Sequence, residues 1–288
     1  MEEVLAALEA PGVTKAKVAV SDIDGVLRGK YLDARKCAEA LRGSLGFCSV
    51  VFGWDVGDRP YPGGSTKGYP DVRLRLDPNS LRRIPWEHNT PLLLADFYQA
   101  DGAPLAICPR QLLKGQIAAA AELGLTASFG AEFEWFNFRE TPQTAHAKDF
   151  HDLQPLSTGM FGYSLLRAGQ SADFLHTLFD TLGALRVPLE SLHTETGPGV
   201  LEASLLHSDA LEAADRAAVF KYAVKELAHR SGLLATFMAK FSDTLPGCGG
   251  HLHQSLLRAG HSAFFDAQAP GQMSATLRHY VAGELQLA

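Results

Sequence analysis

What this sequence lacks narrows its class before any motif is considered. It has four cysteines in 288 residues, Cys37, Cys48, Cys108 and Cys248, and no two stand at the short spacing of a zinc or redox pair. Free thiols are therefore expected rather than a disulfide framework. No stretch approaches the ~18 uninterrupted apolar residues of a membrane-spanning helix. Residues 1–10 are acidic and lack the basic flank and apolar core of a secretory leader. There is no internal repeat, no low-complexity tract and no basic excess. Lys and Arg number 26 against 32 Asp and Glu, giving a formal net charge of −6 and a pI near 6.0. A nucleic-acid binder would carry a basic stripe. What remains is an ordinary globular composition, 46% hydrophobic and 20% charged, expected in the cytoplasm and long enough for one large or two medium domains.

Periodicity divides the chain. Residues 15–21 alternate polar and apolar, Ile23-Asp24-Gly25 reads as a turn, and 26–32 continues as a second strand. Asp33 is placed to cap a short helix ending at Gly43. Residues 53–78 are dense in Gly, Pro and Asp, including Pro62-Gly63-Gly64, and read as a long ordered loop. A hairpin around Asp101-Gly102 is expected from 91–97 and 103–107. After Pro109 the period lengthens: 109–124 is helical with Gly124 as its stop, as are 171–185 and 208–231, the last with Ser208 as cap and Gly232 as terminator. Strands are expected over 125–138, 187–195 and 201–205, and a helix over 274–288. The boundary is placed near Cys108, with a strand-rich unit over 1–107 and a larger mixed unit over 108–288. The final helix ends without Gly, Pro or a basic turn, so the chain is expected to be shortened.

Four motifs carry chemistry. Val18 to Leu27 runs an apolar strand into Asp22-Ile-Asp24-Gly25, which fits either a plain hairpin or the nucleophile and acid/base pair of a haloacid-dehalogenase-type phosphatase. In Glu132-Phe-Glu134-Trp135, period 2 puts both carboxylates on one face, about 6–7 Å apart along the backbone, and Phe133 and Trp135 on the other. In His193-Thr-Glu195-Thr-Gly-Pro-Gly-Val-Leu-Glu202, a Gly-Pro-Gly turn folds two carboxylates back toward each other. Flanking leucines imply partial burial, and a cation relieves the cost of burying carboxylates. In Gly247-Cys-Gly-Gly-His251-Leu-His253-Gln-Ser255, glycines let backbone amides approach phosphate, and two histidines share a strand face. Each motif alone also fits a solvated surface. Together, four carboxylates, an imidazole and a glycine-rich loop suit two hard divalent cations beside a nucleotide.

These residues, with Cys108-Pro-Arg110, Ala213-Ala-Asp215, Phe220-Lys221 and Thr236-Phe-Met-Ala-Lys240, resemble the glutamine synthetase family from about residue 15 to the end. The resemblance implies an α+β protein: an N-terminal β-grasp-like domain, then a catalytic domain of antiparallel strands with helices, incomplete at the C-terminus. It further implies that Glu134, Glu195 and Glu202 hold one Mg2+ or Mn2+. Glu132 and His251 would hold a second, His253 and Ser255 would contact ATP phosphates, and Gly247 would lie along the amino-acid substrate. The implied reaction is an ATP-dependent ligation of the γ-carboxylate of glutamate to ammonia or another amine through a γ-glutamyl phosphate. The implied assembly is a homo-oligomer of stacked rings.

Three departures qualify the resemblance. The ammonium-using enzymes carry an Asp-Gly-Ser-Ser-type element where this chain reads Gly53-Trp-Asp55-Val-Gly-Asp58. This favours a larger amine, as in the γ-glutamyl-polyamine and alkylamide ligases. Pro246 and Val200 replace the family's Asn and Gln near the glutamate position. The family also continues past this endpoint, where it carries arginines, a flap glutamate and a last metal ligand. The 288 residues alone are therefore expected to be weak or inactive, and a catalytically silent scaffold is the competing reading.

Overall fold

The computed structural model describes residues 1–55, 57–61 and 68–287. The first sheet contains β1 (Lys15–Ser21), β2 (Leu27–Asp33), β3 (Leu45–Cys48), β4 (Asp71–Leu76), β5 (Arg82–Ile84) and β6 (Thr90–Tyr98), in the order β2-β1-β6-β4-β3 with β5 on β6. Only β1 and β6 pair in parallel; the other neighbours are antiparallel. Helices α1 (Glu2–Leu8) and α2 (Ala34–Arg42) cover one face. Asp33 caps α2 as expected, its carboxylate accepting from the amides of Arg35 and Lys36.

The second sheet is built on a long strand, β7 (Thr126–Phe138). Around it lie β8 (Leu189–Thr194), β9 (Val200–Leu205), β10 (Ser208–Asp209), β11 (Leu234–Thr236), β12 (Gly250–Arg258) and β13 (His261–Ser262), in the order β13-β12-β7-β9-β8. β10 and β11 pair with the two ends of β7. The helices are α3 (Pro109–Glu122), α4 (Pro142–Ala147), α5 (Leu165–Gly169), α6 (Ala172–Ala184), α7 (Ala210–Arg230) and α8 (Ala275–Leu287). Among the described residues, no helix is long and apolar enough to cross a membrane.

Several expectations need correction. The stretch 53–78 is not all loop: 71–76 is β4, whose Leu74 and Leu76 are buried. Pro62-Gly63-Gly64 lies outside the described residues. The hairpin turn at Asp101-Gly102 is present, with the Gln99 amide donating to the Ala103 carbonyl and that of Leu105 to the Phe97 carbonyl. Residues 103–107 nevertheless reach only a bridge from Tyr98 to Pro104 rather than a strand, and Pro104 has no amide to donate. The cap of α7 is Asp209 rather than Ser208, since the carboxylate reaches the amides of Leu211 and Glu212.

Two packing features tie the sheets together. β6 is buried on both faces. Leu92 and Leu94 enter a core with Trp135, Leu178, Phe220 and Val224, while Leu93, Ala95 and Phe97 enter a second core under α1 and α2. The second feature is a buried ion cluster. Arg110 on α3 donates two bonds to Asp215 on α7, at 2.8 and 2.7 Å, and one each to Asp96 on β6 and to Asp77. Deleting Arg110 leaves buried Asp215 without its hydrogen-bonded partner, while Lys114 still faces Asp77 and Asp96. Arg110→Leu is therefore expected to destabilise the protein by about 3–5 kcal/mol in urea unfolding, whereas a surface pair such as Lys36–Glu39 should be worth well under about 1 kcal/mol.

Candidate metal and nucleotide site

Alternation along β7 is the origin of the site. Trp135 is buried in the core with Phe133 packed beside it, so Glu132 and Glu134 must project from the opposite face. Strand register then sets their neighbours. Glu134 stands opposite Glu202 on β9, and Glu202 stands opposite His193 on β8. Glu132 stands between Ser204 on β9 and His251 on β12.

The turn between β8 and β9 is the Gly-Pro-Gly element. Gly197 and Gly199 have φ of +141° and +74°. A Cβ at Gly199 would come within 2.6 Å of the Asn137 carbonyl, so a side chain has no space there. Buried Asn137 fastens the turn by donating to the Gly199 carbonyl and accepting from the Trp135 indole. Glu195 and Glu202 are thereby brought to the same place.

Two three-donor groups result, each with ligand atoms within 4.8 Å of one another: Glu132, Glu202 and His251, and His193, Glu195 and Glu202. Glu202 belongs to both. Glu134 adjoins them, its Oε1 only 2.8 Å from where a Cβ on Gly249 would stand. His193 has no ligand role in the resemblance, yet its i, i+2 relation to Glu195 is the same signal that pairs Glu132 with Glu134.

The electrostatics follow from the crowding. Burial, with the charges of Glu134, Glu132 and Glu195, raises the Glu202 carboxyl against the opposing pull of His193. Glu132 is lowered, chiefly by its hydrogen bond with His253 and, against the cost of burial, by the Ser204 hydroxyl. Burial and the Glu134 charge push the nearby Cys248 thiol up to about 12, so it stays protonated near neutral pH. Carboxylate and imidazole donors with no thiolate fit a hard or borderline divalent cation.

Beyond Glu132 lies a cavity of ≈ 420 Å³ whose lining includes Ser204, His207, His253 and Ser255. His253 Nε2 is 3.1 Å from Glu132. His207 was not anticipated, because it follows the end of β9 with no spacing signal. Gly247 packs against the Ala239 carbonyl, which a Cβ would approach to 2.5 Å and which also accepts from the Cys248 amide.

Asp22 and Asp24 lie elsewhere, and the phosphatase reading gains no support. The buried Asp22 carboxylate accepts from the amides of Asp24 and Val26 and from Arg28, so it serves as the internal clamp of the β1–β2 turn.

Residues 106–288 match the family model described as glutamine synthetase, catalytic domain. The chain is 49% identical over 277 residues to type-1 glutamine synthetase 2 of Dictyostelium discoideum, covering 94% of this chain and 53% of that protein. It is 33% identical over 288 residues to glutamate–isopropylamine ligase of a Pseudomonas species, covering 98% and 62%. A solved structure described as a GmaS/ADP complex superposes with a TM-score of 0.83 at 27% identity, covering 98% and 62%. The chain thus spans between about half and three-fifths of the length of these relatives.

The raised Glu202 carboxyl predicts a pH signature. The folded state holds that proton more tightly than the unfolded chain, so stability from this group is present at low pH and is lost as pH rises through the folded value. Glu202→Gln should melt higher than the wild type without metal near pH 7, by a few degrees, since ~1 kcal/mol moves a domain by about 2–4 °C. The wild type should gain about 2.7 kcal/mol at a hundredfold excess of Mg2+ over Kd, and the variant much less. Calorimetric melts with and without Mg2+ test both.

Proposed function

The chain belongs to the glutamine synthetase family, and from that premise we propose that it supplies the cation and nucleotide machinery of an ATP-dependent ligase joining the γ-carboxylate of glutamate to an amine. The single observation that carries the reading is the pair of donor groups sharing Glu202 beside the cavity lined by His253 and Ser255. A scaffold without chemistry has no use for mutually repelling carboxylates that nothing in the fold requires.

In this reading Glu134, Glu195 and Glu202 hold one Mg2+ or Mn2+, and Glu132 and His251 hold another. Cations there would supply charge neutralisation for a carboxylate and a phosphoryl group. His253 and Ser255 reach the ATP phosphates, and Gly247 lies along the amino-acid substrate. A γ-carboxylate oxygen of glutamate attacks the γ-phosphorus of ATP and ADP leaves. The amine nitrogen then attacks the acyl carbon, phosphate leaves, and the nitrogen gives up a proton to leave the γ-glutamyl amide. The acyl phosphate is needed because a free carboxylate is a poor acyl donor.

The finer points belong to the same proposal. The first 107 residues are read as a β-grasp-like domain and 108–288 as the catalytic part. The amine is larger than ammonium, consistent with the isopropylamine named for the Pseudomonas relative. The working form is a ring-shaped homo-oligomer in the cytoplasm.

ADP release coupled to glutamate and a panel of amines tests the reaction. In a chain of the relatives' full length, Glu132→Gln or Glu195→Gln should lower kcat by about 10²-fold or more, the scale of losing one electrostatic partner. The 288 residues alone should turn over at least about 100-fold more slowly than that longer chain. Brisk amine-independent phosphate release, or rates untouched by both substitutions, would sink the ligase reading.

A further inference from the structure

The ring of His193 is held in one orientation from two sides. Its face stacks on Tyr163 with centroids 4.2 Å apart and planes at 22°. Its Nδ1 lies 3.1 Å from the Thr194 carbonyl oxygen. A carbonyl only accepts, so Nδ1 carries the proton of the neutral ring, which leaves the lone pair on Nε2. Nε2 is 3.7 Å from Glu202 Oε2. Glu195 completes the group of three: its Oε1 accepts from the Thr196 amide at 2.7 Å, its Oε2 is 3.8 Å from His193 Nδ1, and the ligand atoms of His193, Glu195 and Glu202 lie within 4.8 Å of one another. Among the described residues, no hydrogen-bond donor reaches the Glu202 carboxylate.

An imidazole that donates one N–H to a backbone carbonyl and turns its free nitrogen toward the Glu202 carboxylate has the arrangement that fixes the tautomer of a metal-ligating histidine. We propose that His193 is a direct ligand, through Nε2, of the cation held by Glu195 and Glu202. The inference rests on the cation reading above and adds a nitrogen donor to a set otherwise expected to be all carboxylate. A nitrogen donor shifts preference from Mg2+, which favours oxygen, toward Mn2+ and other first-row ions. Tyr163 then acts as a positioning residue, keeping the imidazole plane fixed from a loop that reaches β8 through the Tyr163 amide and the Thr194 carbonyl.

Mn2+ is the probe, and its readouts are electron spin-echo envelope modulation and calorimetry. A directly bound imidazole imprints 14N modulation on Mn2+. In a His251→Gln/His253→Gln background the modulation should persist, because His193 remains. Adding His193→Gln should abolish it, lower Mn2+ affinity by about tenfold or more and change Mg2+ affinity by less than about threefold. His193→Phe, which keeps the stack on Tyr163, should behave like the Gln variant and so separates ligation from packing. If Mn2+ still binds the His251→Gln/His253→Gln background but 14N modulation is already gone, His193 is not a ligand, although the carboxylate site stands. If wild-type protein binds no Mn2+, the cation reading fails and this inference with it.

Discussion

Carboxylates held close together by strand register are the constraint on which the rest of this structure depends. Two unit charges ~4 Å apart repel by about 4 kcal/mol at an effective dielectric near 20. The arrangement therefore persists only because something larger enforces it. That something is the other side of β7. A slip of one residue would turn Trp135 and Phe133 out of the aromatic core and send Glu132 and Glu134 into it. Burial of one indole and one phenyl ring, each worth a few kcal/mol, thus holds two negative charges where they would not choose to be.

The fold relieves part of the repulsion locally. Ser204 and His253 serve Glu132, the Thr196 amide serves Glu195, and His193 sits between Glu195 and Glu202. What these contacts leave over falls on Glu202, which touches both donor groups and whose carboxyl is the raised one. An incompletely compensated charge at the centre of a designed-looking cluster is the mark of a site that expects a positive occupant. The Gly197-Pro198-Gly199 turn and buried Asn137 serve the same end, since they spend conformational freedom to bring Glu195 back to Glu202.

Much of this was legible in the residues because it is local. Period 2 in β7 separated the acids from the aromatics, Asp33 announced its helix, and Gly124 and Gly232 marked helix ends through their positive φ. β4 was hidden because a strand of six residues sits at the end of a run rich in Gly, Pro and Asp, where turn chemistry dominates any short window. The α7 cap was off by one because Ser208 and Asp209 are both good caps and only backbone direction chooses between them. His193, Tyr163 and His207 escaped for a different reason. Their roles arise from contacts between segments far apart in the chain, and no spacing rule within one segment encodes them.

β6 has a consequence for how the protein could be divided. Alternate side chains of one strand fill two cores, so the small sheet roofs the aromatic layer behind the carboxylates as well as enclosing its own interior. Cutting the chain between the sheets would strip Leu92 and Leu94 from the apolar cluster that they share with Trp135 and Phe220. The larger half is thus no freely exchangeable module. Any graft of a different leading segment onto this acidic bowl has to bring a matching stripe of aliphatic residues with it, or the strand that aims the carboxylates loses its backing.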